Sequence, residues 1–246
     1  MNPADYSPLM GIERRLTNRG IRAVELMSAA GIVTPDQMLA IKFDTAYSKA
    51  SYAGVWMAQI AALDLRKEPD LAKAQALLGT WDWKSDGVGG ADTLAELMIR
   101  AANAANYHNE PLPDAHKELR KWVDFMMTNF KRIDLPLLEM QRLRRGKVDL
   151  PNDGGTDALR ATSIWDKDQA DHKGRVKHGD SFIMLVTWDK AGAVSSRSIQ
   201  PYGAATTRPA SKHYTDQMQM FVDHKFKDVW FTRNALKGHI EREYRP

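Results

Sequence analysis

The chain has 246 residues, of which 43% are hydrophobic and 27% charged, as in ordinary soluble globular proteins. It has no cysteine, which excludes disulfides, zinc–thiolate sites and cysteine nucleophiles. The net charge of +4 is mild. No apolar run reaches the roughly 20 residues that span a bilayer, and the first residues lack the basic and apolar regions of a signal peptide.

The first half of the chain is predicted to be helical. Residues 1–13 contain two prolines and are expected to form an extended surface segment. A helix should then run from about Thr17 to Ala30, with Ile21, Val24 and Met27 on one stripe and with Gly31 as a stop.

A second helix should begin at Thr34-Pro35-Asp36-Gln37 and extend to about Ser48. In this sequence Thr34 can cap the helix, Pro35 suits its first position and Gln37 completes a capping box. Further helices are predicted over Ala50–Leu65, Leu71–Leu78, Thr93–Asn106 and Asp114–Phe130. The last of them is amphipathic, with Leu119, Trp122, Val123 and Met126 on its apolar face.

The last third of the chain mixes strand and helix patterns. Ser181–Trp188 is rich in β-branched and aromatic residues, Asp189–Gly192 is typical of a turn, and Val194–Ile199 can pair back, so a β-hairpin is predicted. Ser211 is expected to cap a short helix that places Tyr214, Met218 and Phe221 on one stripe.

Several residue groups offer chemistry, but a structural role is favoured for each. Ser181, His213 and Asp216 have the composition of a catalytic triad without the Gly-x-Ser-x-Gly elbow. The remaining groups are a His/Asp-rich loop (Asp166, Asp168, Asp171, His172 and His178), a glycine-rich turn (Gly87–Gly90), a methionine pair (Met218 and Met220) and a basic segment (Arg142–Lys147). The loop matches no zinc or calcium spacing, the turn lacks the preceding strand and following Lys-Ser/Thr of a phosphate loop, and methionines at helical spacing usually fill cores. The basic segment carries no nucleic-acid motif and is interpreted as a solvated face.

An ordered set of motifs resembles the penicillin acylase family, which includes acyl-homoserine-lactone and aculeacin acylases. The motifs near the C-terminus are Gly179-Asp180-Ser181, Ser195-Ser-Arg197, His213-Tyr-Thr-Asp-Gln217 and Trp230-Phe231. Earlier in the chain stand Leu77-Leu78-Gly-Thr-Trp81-Asp82, the Arg142–Gly155 segment with Asp149-Leu-Pro151, and Leu159-Arg160-Ala161. These motifs follow the family's order over most of the chain, and they resemble the C-terminal part of its catalytic subunit.

The resemblance implies an α+β fold, the C-terminal portion of an N-terminal-nucleophile hydrolase αββα sandwich. Residues 1–246 are expected to form a single region, mostly helical over 14–130 and mixed over 131–246. In the whole family enzyme the strands join a sheet between helix layers. The chain by itself is therefore expected to expose apolar surface that meets another part of the enzyme.

The resemblance also implies an amide hydrolase that removes an acyl side chain from a β-lactam, an acyl-homoserine lactone or a lipopeptide. In that family a serine at a processed N-terminus attacks the amide and its own α-amine acts as the base. An oxyanion hole of a backbone N–H and an asparagine stabilises the intermediate. Neither Met1 nor Asn2 suits the nucleophile's position, and Asn2 lacks the flanking residues of the oxyanion asparagine, so this chain is expected to be an inactive fragment of the enzyme.

One catalytic residue is carried over by the resemblance. Arg22, followed by Ala23-Val-Glu-Leu26, matches a family arginine that lies near the oxyanion site and the substrate. Arg19, three residues earlier on the same helical face, is the alternative, and an ordinary surface arginine is the structural interpretation of either.

The expected partners are the N-terminal part of the same precursor and a small acyl amide substrate, with no nucleic acid and no membrane. No cofactor is expected, although the family often holds a structural calcium, and the resemblance implies a periplasmic or secreted enzyme connected with antibiotic biosynthesis. The alternative function is a non-catalytic binding or scaffold protein that has kept the acylase fold.

Overall fold

The computed structural model describes residues 6–11, 15–165 and 170–243. The chain divides into two compact units, one of residues 1–144 and 151–179 and the other of residues 145–150 and 180–246. The expected His/Asp-rich loop falls partly outside the described residues, because Asp166 and Asp168 are not among them.

The first unit is built mainly from helices. They are α1 (Asn18–Ala30), α2 (Pro35–Lys42), α3 (Tyr52–Ala61), α4 (Pro69–Gly79), α5 (Asp92–His108), α6 (Ala115–Phe130) and α7 (Leu137–Met140). Helix α5 is the centre of the core, since Leu94, Met98 and Ile99 are fully buried. Trp56 of α3 and Leu119 of α6 are also fully buried in this core.

The predicted caps explain where several helices begin. Thr34 and Gln37 form both bonds of the capping box, at 3.2 Å to the Gln37 amide and 2.8 Å to the Thr34 amide. Asp114 accepts the Lys117 amide at 3.0 Å and caps α6. The apolar face predicted for α6 is confirmed, because Leu119, Val123 and Met126 are buried.

Strands β1 (Gln141–Arg145), β2 (Val148–Pro151), β3 (Thr162–Trp165) and β4 (Gly174–Gly179) form a sheet in the order β2-β1-β4-β3. Strand β1 runs parallel to β4, with Gln141 opposite Gly174, and β3 runs antiparallel to β4, with Thr162 opposite Gly179.

The second unit contains the predicted hairpin. Strand β5 (Ile183–Trp188) pairs antiparallel with β6 (Val194–Ile199), and β6 pairs with the short β7 (Lys227–Asp228). Two short helices, α8 (Met218–Val222) and α9 (Arg233–Leu236), complete the unit. Helices up to residue 130 followed by mixed sheets confirm the α+β class.

Three local predictions were wrong. Helix α2 ends at Lys42 rather than near Ser48, because Ala46 forms a β-bridge with Lys84. Helix α3 spans only Tyr52–Ala61 rather than Ala50–Leu65. Ser51 caps its start, and the helix ends at Ala61. The segment capped by Ser211 is a 3-10 turn over Lys212–Tyr214, separate from α8, because the Gln217 amide bonds to the Tyr202 carbonyl.

The stripe predicted for α1 is also only partly buried. Val24 is 66% exposed and Met27 is 44% exposed, and Asn18 is the one fully buried residue of this helix.

Candidate functional site

Helix α1 presents both arginines that the sequence singles out. Thr17 caps the helix by accepting the Gly20 amide at 3.1 Å. Arg19 and Arg22 follow in the first turns, and residues three apart lie on one face of a helix.

Arg22 is held by a fork of two hydrogen bonds to Asp44. Its Nε donates to Asp44 Oδ1 at 2.9 Å and its Nη2 to Asp44 Oδ2 at 3.1 Å. Its Nη1 donates to Glu25 Oε2 at 3.2 Å. The bonds to Asp44, and then those to Glu25, raise the pKa of Arg22, so this side chain is a fixed positive charge.

The fork leaves part of the Arg22 guanidinium available. A guanidinium has five N–H donors, and the carboxylates of Asp44 and Glu25 take three of them. The side chain is 25% exposed. Within the described part of the chain, two N–H groups can therefore donate to an added acceptor such as a carbonyl oxygen.

Arg19 pairs with a different carboxylate. Its Nε donates to Asp157 Oδ1 at 2.9 Å, and its side chain is 51% exposed. Asp157 is buried and also accepts the Asn18 amide at 2.7 Å through Oδ2. Asp157 thus ties the first turn of α1 to the loop between β2 and β3, where its φ of 63° lies in the left-handed region.

A buried carboxyl group anchors that loop from behind. Glu96 of α5 accepts the Thr156 amide at 3.1 Å, the Ser85 hydroxyl lies 2.5 Å from its Oε1, and Tyr47 Oη lies 2.7 Å from the same oxygen. Tyr47 Oη also lies 2.5 Å from the Thr156 carbonyl. Burial raises the pKa of Glu96.

A polar cleft of about 320 Å³ opens beside Arg19. Its walls come from the start of α1, the end of α5 and the β2–β3 loop, and include Thr17, Arg19, Asn103, Asn106 and Asp157. Arg15 also lines it and donates to the Asn106 carbonyl at 3.2 Å while its guanidinium stacks on Tyr107. The cleft therefore offers amide and guanidinium groups to a small polar ligand.

The partners of these arginines could not be found from sequence spacing. Asp44 is 22 residues from Arg22, and Asp157 is 138 residues from Arg19. Glu96, which anchors the β2–β3 loop, stands in the sequence as a charged residue within the Ala-rich pattern of α5. The structure brings Arg19 and Arg22 to one helix and gives each its own carboxylate.

The Ser181, His213 and Asp216 set does not form a triad. His213 bonds to Asp216 through Nδ1 at 2.6 Å and to Glu241 through Nε2 at 2.8 Å. Both ring nitrogens are thus occupied by carboxylates, and neither can take a proton from Ser181.

The other groups weighed in the sequence have structural partners. Arg144 bonds to Asp171 at 3.1 Å, and Arg145 lies between the rings of Tyr202 and Tyr214, 4.5 Å from each centroid. The glycine-rich turn closes on its own helix, since the Gly87 amide donates to Asp92 at 2.9 Å. Burial raises the pKa of this Asp92 to about 6.

Met218 is fully buried. Among the described residues no group of three or more His, Asp or Glu side chains could hold a metal ion. The helices of the described ranges include none long and apolar enough to cross a membrane.

Comparison with known proteins gave one family. The model of the penicillin amidase family matches residues 90–238, which is more than half of the chain. The match covers α5 to α9 and ends at Gly238, and Arg22 lies outside it. A comparison with curated proteins found no match. The chain belongs to the penicillin amidase family.

Proposed function

We propose that this chain is the C-terminal part of the catalytic subunit of an amide hydrolase that removes an acyl side chain from a small amine. The family match over residues 90–238 carries the proposal, because the family is one of acylase-type amide hydrolases. The substrate would be a β-lactam, an acyl-homoserine lactone or a lipopeptide, and the nucleophilic serine would come from a preceding part of the same precursor.

The geometry of α1 supports a role for Arg22 in this reaction. Attack on an amide places negative charge on the carbonyl oxygen, and donors fixed in advance stabilise that charge most effectively. Asp44 fixes the guanidinium through two bonds, and two N–H groups stay available within the described chain. Arg22 would thus orient the acyl group and stabilise the developing charge.

The β5–β6 hairpin supports a role for another part of the precursor as a partner. Strand β5 is an edge of its sheet, and an edge strand offers unpaired backbone groups to a further strand. Beside and along β5, Phe182, Met184 and Trp188 are 59%, 48% and 66% exposed. An added strand and its side chains would cover both the edge and this apolar surface.

The proposal predicts that Arg22 matters for turnover in the enzyme assembled from the whole reading frame. We expect Arg22→Gln to lower kcat/KM for an acyl p-nitroanilide by roughly 10²-fold, the usual effect of losing one charge-stabilising donor. The matched control is Arg66→Gln, which breaks a similar arginine fork to Asp64 on the exposed α3–α4 connection.

The control variant should keep wild-type kinetics. Equal kcat/KM for Arg22→Gln and Arg66→Gln would remove Arg22 from the catalytic site.

A reading frame that supplies no serine-led segment before residue 1 would favour the scaffold function instead.

A further inference from the structure

A second cavity is lined by α3, α4 and the Trp81–Trp83 segment. We call it the α3–α4 pocket and define it by Lys49, Met57, Ile60, Leu78, Trp81 and Trp83. Its volume of about 310 Å³ lies at the small end of ligand-binding cavities.

The pocket has an apolar body. Met57, Ile60 and Leu78 are buried. Trp81 and Trp83 form a stacked pair with ring centroids 5.3 Å apart and an interplanar angle of 25°. Aromatic and aliphatic walls of this kind bind the apolar part of a small molecule.

The polar groups of the pocket are few and differ in availability. Gln75 is locked, since its Nε2 donates to the carbonyls of Ile60 at 2.8 Å and Leu63 at 3.0 Å. Lys49 is exposed, and its ammonium lies 5.3 Å from the centroid of the Trp83 ring. In the described part of the chain no carboxylate pairs with Lys49, so the lining carries one uncompensated positive charge.

The backbone fixes Lys49 and Trp83 next to each other. The β-bridge between Ala46 and Lys84 joins their two segments, and the Tyr47 amide donates to the Trp83 carbonyl at 2.8 Å. Gly54 lets the Lys49 backbone approach α3, because a Cβ at this position would meet the Lys49 carbonyl oxygen at 1.9 Å.

Trp83 is held in an unusual conformation. Its φ of 70° lies in the left-handed region, which a bulky residue seldom occupies. Such strain persists where the surroundings fix a side chain in place, and it is concentrated at functional sites. Here it keeps the indole in the pocket lining, beside Lys49.

From the apolar body, the fixed indole pair and the unpaired ammonium, we infer that the α3–α4 pocket binds a small apolar monocarboxylate, with its carboxylate on Lys49. A single negative charge on the ligand balances the one free cation of the lining. This site is separate from the α1 arginines, and the inference does not depend on the proposed hydrolase activity.

The test uses the purified chain, with benzoate as the ligand and neutral benzamide as its match in shape. Binding is followed by the NMR shift of the Trp83 indole N–H, which Trp83→Phe identifies. We expect saturable binding of benzoate that is about two- to fivefold tighter than that of benzamide, the range for an exposed ion pair.

Two variants with matched controls locate the binding. Lys49→Gln should abolish the preference for benzoate, whereas Lys67→Gln, at an exposed lysine outside the pocket, should keep it. Ala61→Phe should fill the pocket and abolish binding, whereas Ala76→Phe, at an exposed α4 alanine outside the lining, should not.

The absence of a saturable Trp83 shift would overturn the inference. So would a benzoate preference that survives Lys49→Gln, or binding that survives Ala61→Phe. Thermal unfolding of each variant shows whether it is folded, and the ligand pair tested on the wild-type chain decides the matter even if a variant does not fold.

Discussion

At the scale of single residues, the burial of Glu96 favours its neutral form. Tyr47 has one hydroxyl proton but lies within hydrogen-bond distance of two groups, Glu96 Oε1 and the Thr156 carbonyl. A carbonyl oxygen only accepts. A neutral Glu96 would satisfy both contacts fully, because it could donate to Tyr47 while Tyr47 donates to the Thr156 carbonyl.

Substitution of Glu96 tests this proton count. We expect Glu96→Gln to change the free energy of unfolding at neutral pH by less than about 1 kcal/mol, because the amide can still donate to Tyr47 and accept from the Thr156 amide. Glu96→Ala should cost about 3 kcal/mol or more, because it leaves several buried polar groups unpaired. Chemical denaturation measures both values.

The pH dependence of the same residue has a definite sign. Burial raises the pKa of Glu96, and the hydrogen bonds with Ser85, Tyr47 and the Thr156 amide, followed by the charge of Arg100, offset part of this rise. Its contribution to stability is therefore present below its unfolded pKa and lost as the pH rises through the folded pKa. Glu96→Gln should remove this loss of stability at rising pH. A Glu96→Gln chain as unstable as Glu96→Ala would show that the carboxyl is ionised.

At the scale of elements, His213 links the 3-10 turn to the C-terminal segment of the second unit. Both of its ring nitrogens face carboxylates, Asp216 at 2.6 Å and Glu241 at 2.8 Å, so both must carry protons. Asp216 and then Glu241 raise the pKa of His213. The pKa of Glu241 is lowered to about 2, mainly by Lys212 and next by His213.

This link should weaken as the pH rises. A raised histidine pKa gives a stabilisation that is complete below the ordinary value of about 6.5 and lost as the pH passes the folded pKa. We expect amide hydrogen exchange near Glu241, relative to its intrinsic pH dependence, to accelerate over that range. In His213→Gln it should be fast throughout, and in His178→Gln, which changes a histidine of β4 in the other unit, it should match the wild type.

An NMR titration of His213 gives an independent check. A pKa at or below the ordinary histidine value would contradict the link.

The sequence was informative where structure is local. The capping box of Thr34 and Gln37 and the β5–β6 hairpin depend on residues a few positions apart, and both are confirmed. The Asp189–Gly192 turn also forms, with the Asp189 side chain accepting the amides of Ala191 and Ala193 at 2.8 Å.

Elements that depend on distant pairing were not individually predicted. Strand β4 reads Gly-Arg-Val-Lys-His-Gly, a polar segment that resembles a solvated loop until β1 and β3 pair with it. The end of α2 is likewise set by Lys84, which lies far along the chain. For the same reason the sequence indicated Arg22 and Arg19 but not Asp44 or Asp157.

At the scale of the whole molecule, the family indicates acylase-type amide hydrolysis, and each of the two units has features that support this chemistry. The first unit holds α1 with its fixed arginines, and the second offers an edge strand beside exposed aromatic residues. The prediction that the chain works with another part of a precursor depends on these features and on the family, and it stays a prediction.

The most direct test of the central claim is amide hydrolysis by the enzyme assembled from the whole reading frame. Acyl p-nitroanilides with aromatic, short and long acyl groups would be supplied, and release of both the acid and the amine would be measured. The account predicts hydrolysis of at least one acyl class when this chain and a serine-led segment are present together, and none with either part alone. An assembled, folded and processed enzyme that hydrolyses none of these amides would contradict the account.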